Sequence, residues 1–419
     1  MKRSIVYCLL LLAIGLGRPA HAQEISPQDS LRISLLTCSP GRAIYEYYGH
    51  SALRVQDLTS GADWVVNYGL FDFDQPHFIS RFVLGRTDYI VGACPTEKFL
   101  PEYRDRGSDV TEDVLNLSQP EAHRLWEALR LNCQPENRTY HYDFFYDNCA
   151  TRVREQIKAA LNGKLIYTTE EQQRTLRQIV HLYSAPYAWS TFGQDLLLGA
   201  EADRSVPREV QQFAPIEMES DLVTALVRDS SGDVRPLVSQ HHKLVVGKGI
   251  DTTPALPLSP MACSLILLSL VFVASVWELW KRRILWPIDL VLLALQGLAG
   301  CLICTLLFFS QHPTVDSNYL ALIFNPLPLL LLPWIIKRER RGLPSQYHRW
   351  ARIWLFLFIC GSYFIPQYFS GEVMALALCL LLRSVVNHAV AYLNRRQAQA
   401  AETSAVQPQE APSDQPTRS

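Results

Sequence analysis

Polar and apolar positions are interleaved from Gln23 to about Leu258, as in a soluble domain, and beyond Pro260 the polar positions nearly vanish. Apolar runs then cover 261–280, 286–309, 319–336, 351–369 and 373–393, each near the length that crosses a hydrocarbon core. The pattern predicts a C-terminal bundle of five transmembrane helices. In the interleaved region, "RISLLTC" (32–38) reads as a strand. "HSALRVQDL" (50–58) alternates, with Leu53 and Val55 on one face and His50, Ala52 and Arg54 on the other. The turn "TSGAD" joins it to "WVVNYGLF" (64–71), so the two form a hairpin. "RFVLGRTDYIVGAC" (81–94) reads as a third strand, bulged at Gly85. "SQPEAHRLWEALRLNC" (118–133) has helical spacing: Ser118 caps, Glu121 completes a capping box, and Ala122, Leu125, Leu129 and Cys133 share a face. A further helix starts near Cys149, with Val153, Ile157, Ala160 and Leu161 as its buried stripe and Arg152, Arg154 and Lys158 outside.

Charge orients these elements. "KRR" (281–283), "KRERR" (337–341) and "NRR" (394–396) follow the first, third and fifth apolar runs, while "SQHPTVDSN" and "SGE" hold no Lys or Arg. The positive-inside rule then puts the C-terminus in the cytoplasm and the 23–258 domain outside. Lys2 and Arg3, a short apolar stretch and Ala20-His21-Ala22 form a secretory signal peptide over 1–22. The expected order is signal peptide, periplasmic domain (23–258), membrane domain (259–396) and a disordered cytoplasmic tail (397–419), in a bacterial inner membrane. A net charge of −1, without basic patches, offers nothing to nucleic acid.

The exported domain retains Cys38, Cys94, Cys133 and Cys149, and two disulfides would be the ordinary arrangement in an oxidising compartment. Position separates Cys149 from the others. It opens a helix just after Asn148, a good cap, where unpaired N–H groups and the helix dipole stabilise a thiolate. A nucleophilic cysteine also needs a base and a group that orients it; His50 opens one strand and Asn67 lies on the next. With Cys149 kept as a thiol, a Cys38–Cys94 bridge is favoured among the remaining three. No metal-ligand spacing and no cofactor motif occurs in this domain.

A strand histidine, a polar residue on the next strand and a later "NC" opening a helix resemble the circularly permuted NlpC/P60 branch of the papain-like fold, an α+β class that includes the lecithin:retinol acyltransferase-like enzymes. "TCSPG", "GHSALRV", "NYGLFDF", "GRTDY", "YDNCATR" and "WSTFGQDLLLGAEADR" are more closely similar to the DUF4105 family, whose membrane-fused Lnb members are lipoprotein N-acyltransferases of Bacteroides. The resemblance implies Cys149 as nucleophile and His50 as base; Asn67 stands where the wider class often has a histidine. It implies a phospholipid as acyl donor and a diacylated lipoprotein as acceptor. Two other readings stay open: a cysteine peptidase or amidase acting on the cell wall, and a non-catalytic envelope module.

Arg383 falls midway along the last apolar run, where a charge tends to mark function. It is a candidate contact for a lipid phosphate or for Asp316, Glu372 or Glu278; equally, the span ends early and leaves Arg383 near the cytoplasmic face. His312, Asn318 and Asn325 lie near the outer ends of the second and third runs, where His312 and Asn318 are further candidates for lipid contact. "WSTFGQDLLLGAEADR" (189–204) reads as a structural loop and helix, with a lid over an acyl groove as the alternative.

Overall fold

The computed structural model describes residues 31–71, 76–254 and 256–406; the expected signal peptide and the end of the expected tail lie outside the described residues. Seven antiparallel strands form the main sheet: β1 (Leu31–Cys38), β2 (His50–Asp57), β3 (Asp63–Leu70), β4 (Asp88–Pro95), β5 (Val110–Leu115), β6 (Thr139–His141) and β7 (Val238–Val245). Their spatial order is β7-β5-β1-β2-β3-β4-β6. β1 is buried on both sides because both faces of the sheet are covered. Leu35, Leu53, Val66 and Tyr68 face one core, while Leu36, Ala52 and Val65 face another with Phe99 and Tyr103.

The segment 81–94 departs from the expected single strand. Phe78–Val83 is a short helix (α1), Gly85 reverses the chain at φ +66°, and the strand begins at Asp88. Helix α2 (Thr96–Arg106) covers the second face, and α3 (Gln119–Asn132) covers the first, its Glu121 carboxylate accepting the Ser118 N–H at 2.7 Å. Beside it, α4 (Cys149–Ala160) packs across β2 and β3 with Ala150, Val153 and Ile157 fully buried. Arg154, expected outside, is buried instead: it pairs with Glu155 and donates to the Glu209 carbonyl. Two further helices, α5 (Leu176–Ser184) and α6 (Ala188–Leu197), lead toward the membrane half.

Beyond Ser259 the chain is helical. Helices α7 (Pro260–Lys281) and α8 (Trp286–Phe309), the stretch Pro313–Arg340 ending in α9 (Leu327–Arg340), and the stretch Gly371–Ala400 are long and apolar enough to cross a membrane. The fourth expected span is the shorter α10 (Gln346–Gly361), 16 residues or about 24 Å long. It runs from the α9 end of the bundle back to the outer domain, where Gln367 donates to the Leu198 carbonyl. The last helix, α11 (Gly371–Val406), continues past 396, so the start of the expected disordered tail is helical. The third stretch begins with two 3₁₀ turns, Pro313–Val315 and Tyr319–Leu322, because Pro326 and Pro328 deny it a regular ladder. Gln296 of α8 satisfies the freed Ile323 carbonyl at 2.7 Å, and glycine at 300 lets α8 approach the Asn325 backbone.

The halves are joined by two clamps. At α1, Gln311 N–H donates to the Leu84 carbonyl (2.9 Å) and the Ser310 hydroxyl to that of Val83 (3.1 Å). At the 189–204 segment, Gly199 N–H donates to the Thr314 carbonyl (2.7 Å), while Phe192 and Leu196 enter the apolar core of the bundle. That segment is the domain junction.

Candidate active site

Antiparallel register builds the site. Ala52 pairs with Asn67, and continuing that ladder by two residues sets His50 opposite Gly69. Asn67 is then the diagonal neighbour of His50 on the same face, within side-chain reach. Asn67 Oδ1 lies 3.0 Å from His50 Nε2 and can only accept, so Nε2 carries a proton and Nδ1 is left to face the thiol. The ring of Tyr103 stacks on His50 from the other side, with centroids 6.5 Å apart and planes at 14°. Gly69 adopts φ +88°, and a Cβ there would stand 3.7 Å from the Cys149 Cβ. The nucleophile candidate thus sits against the bend of β3.

Asn148 fixes the other partner. Its Oδ1 accepts the N–H groups of Ala150 (2.9 Å) and Thr151 (3.0 Å), while its Nδ2 donates to the carbonyls of Phe144 (2.8 Å) and Phe213 (2.9 Å). The cap therefore anchors the helix start to two other segments. Arg152 holds Asp147 through two bonds of 2.6 and 2.7 Å and lies over the Tyr140 ring.

Cys149 and His50 are hydrogen-bonded and shift each other. Burial opposes the thiolate, but the charge and hydrogen bond of His50, with the N–H groups of Ser51 and Ala150, bring the Cys149 thiol below its ordinary value. Burial likewise opposes the imidazolium, and Cys149 and Asn67 outweigh it, so His50 is raised. The other thiols go the opposite way: burial pushes both Cys38 and Cys133 up. The expected Cys38–Cys94 bridge is not formed. Cys38 ends β1 and Cys94 lies on β4, with β2 and β3 between them. Three strand spacings of about 4.8 Å far exceed the reach of a disulfide.

Cys149, His50 and Asn67 are brought together; Arg383, His312 and Asn318, singled out for lipid contact, have protein partners instead. Arg383 is buried between Asp289, with bonds of 2.7 and 2.8 Å, and Glu278. Neither Asp316 nor Glu372 is its partner. His312 donates to the Phe82 carbonyl at 2.9 Å, and Asn318 to that of Leu196 at 2.9 Å. Both are clamp residues because the connections between spans meet the outer domain there. Asn325 accepts the Leu327 N–H. Among the described residues, Asp113, Glu219 and His241, and Asp289, Glu339 and His348, come close enough to share a cation, and both groups stand apart from Cys149.

A family model described as the Lnb N-terminal periplasmic domain matches residues 18–182, and one described as the Lnb transmembrane domain matches residues 251–395. The chain belongs to the Lnb family. Neither the curated proteins nor the solved structures give a match. The Lnb periplasmic domain therefore carries the Cys149 site, and the Lnb transmembrane domain makes the protein a multi-pass inner-membrane one.

One residue of the Lnb chain that sequence reasoning passed over is Arg177 of α5. It is buried and holds Asp195 at 2.8 Å, Asp203 at 2.8 Å and the Leu198 carbonyl at 2.9 Å, fixing the turn that clamps the bundle. The signal was its position: Arg177 shares a helical face with Val180 and Ser184, both buried.

Proposed function

We propose that the protein is a lipoprotein N-acyltransferase working through a Cys149 thioester. The observation that carries this reading is the Cys149–His50–Asn67 set at a helix start, in a chain of the Lnb family. The thiolate attacks the ester carbonyl of a phospholipid. The backbone N–H of Cys149 at the helix start faces the developing oxyanion, since those of Ala150, Thr151 and Arg152 already donate to Asn148. The ester C–O bond breaks, and the lysophospholipid oxygen leaves with the proton of the His50 imidazolium. The α-amine of a diacylglyceryl-cysteine then attacks the thioester, gives its proton to His50 and expels the Cys149 thiolate. The product is an N-acylated, triacylated lipoprotein. Asn67 holds the His50 ring and its tautomer through both steps.

In this reading the outer domain follows the permuted papain-like plan, and α10 makes a fifth crossing that leaves the C-terminus in the cytoplasm. A domain held at the bilayer meets an ester and an amine already at that depth, so positioning replaces a bimolecular search. Mass spectrometry of a lipoprotein's N-terminal peptide, with and without the protein, tests the assignment. An added acyl mass on the amine is expected; an unchanged amine alongside cleaved cell-wall peptide would support the peptidase instead.

A further inference from the structure

We propose that the groove between α1 and the outer part of α8 receives an acyl chain of the donor phospholipid and leads it toward Cys149. This rests on the acyltransferase reading and adds where the donor is held. The groove is a shallow, open one of about 670 Å³, lined by Phe78, Ile79, Val83, Leu84 and Thr305, with His77 and Ser80 at the start of α1. Most of its lining is apolar: the Ser80 hydroxyl donates to the His77 carbonyl at 2.9 Å, and the Thr305 hydroxyl to the Cys301 carbonyl at 2.7 Å.

Its mouth faces lipid. Thr305 belongs to a helix long and apolar enough to cross a membrane, and further along it Phe308 and Phe309 are 71% and 64% exposed. Ile79 is 76% exposed on the neighbouring α1. Apolar surface shared between a spanning helix and a short surface helix belongs in the acyl boundary of a bilayer, where bulk phospholipid is always at hand. The clamp of Gln311 and Ser310 on the carbonyls of Leu84 and Val83 holds α1 at that level.

Phe78 links the groove to the neighbourhood of the site. Phe78 stacks on Phe71 at 5.7 Å, and Phe71 follows β3 two residues after Gly69, the residue packed against Cys149. Phe78, Phe71 and Cys149 belong to or pack against the same apolar cluster, so the groove and the nucleophile border one core. A chain entering here brings its ester toward the thiol while its methylenes pass from one apolar environment to another.

The test uses full-length protein in vesicles of phosphatidylethanolamine and phosphatidylglycerol. In Ile79→Asp, the rate of Cys149 acylation from vesicle phospholipid, divided by that from a short-chain water-soluble ester, should fall at least tenfold. Val234→Asp, at an exposed apolar position on the strand Val234–Pro236 that does not line the groove, should leave the ratio unchanged. A second readout is independent of chemistry. Ile79→Trp should add fluorescence that phospholipids brominated along their acyl chains quench. An unaltered ratio in Ile79→Asp would overturn the proposal. So would quenching by a brominated diacyl lipopeptide but not by brominated phospholipid, since that would give the groove to the acceptor. If wild-type Cys149 is acylated by neither ester, the acyltransferase reading fails, and the quenching alone decides what fills the groove.

Discussion

Both halves of the molecule bury ionisable side chains, and they do so to opposite ends. In the bundle, Arg383 is enclosed by Glu278 and Asp289, and four of its N–H groups are occupied. In the outer domain, His50 and Cys149 shift one another toward the charged pair, while the sulfur keeps a lone pair for an incoming carbonyl. Arg383 stands in the costlier environment and does the simpler thing: it ties α7, α8 and α11 together. An expensive charge therefore marks function only when its valence is left partly unused.

Removing the base should have the largest effect. His50→Ala is expected to slow acyl transfer by about 10²–10⁴-fold. It should also move the pH dependence of Cys149 alkylation. The thiol now ionises below its ordinary 9.0 because of His50, so without the imidazole the rise in iodoacetamide reactivity shifts to higher pH. An unmoved profile would mean that the pair is not coupled. In the bundle, Arg383→Ala leaves two buried carboxylates unpaired and should cost about 3–5 kcal/mol, read as lost detergent stability. Adding Glu278→Gln and Asp289→Asn should restore much of that stability and would show that the cluster is structural. Asn67→Ala should lower acyl transfer roughly tenfold with unchanged stability, since it frees the ring without removing the base. Smallest is Asn148→Ala, which removes the helix cap and should cost about 1 kcal/mol, measured by thermal unfolding of the full chain.

The strands carrying His50 and Asn67 and the helix opening at Cys149 are legible because local pattern decides them: alternation in the first strand, a turn of "TSGAD" into the second, and a cap. The 81–94 segment is misread because a six-residue helix is too short to show its period. Its geometry comes from Ser310, Gln311 and His312, more than two hundred residues away. The Cys38–Cys94 pairing fails for a similar reason. Adjacency in a sheet of order β1-β2-β3-β4 cannot be read from two cysteines at or near the ends of their strands. Arg154 and Arg177 look like solvated charges until the segments that cover them, Glu209 and the Asp195–Asp203 turn, are folded over.

The central claim is that Cys149 carries the acyl group, and it can be observed directly. Full-length protein would be incubated with vesicle phospholipid, without acceptor, and the Cys149 peptide weighed before and after neutral hydroxylamine. The account predicts a fatty-acyl mass on Cys149 that hydroxylamine removes and that His50→Ala fails to accumulate. Lipoprotein acylation continuing in the Cys149→Ser protein, or Cys149 recovered in a stable disulfide, would contradict it.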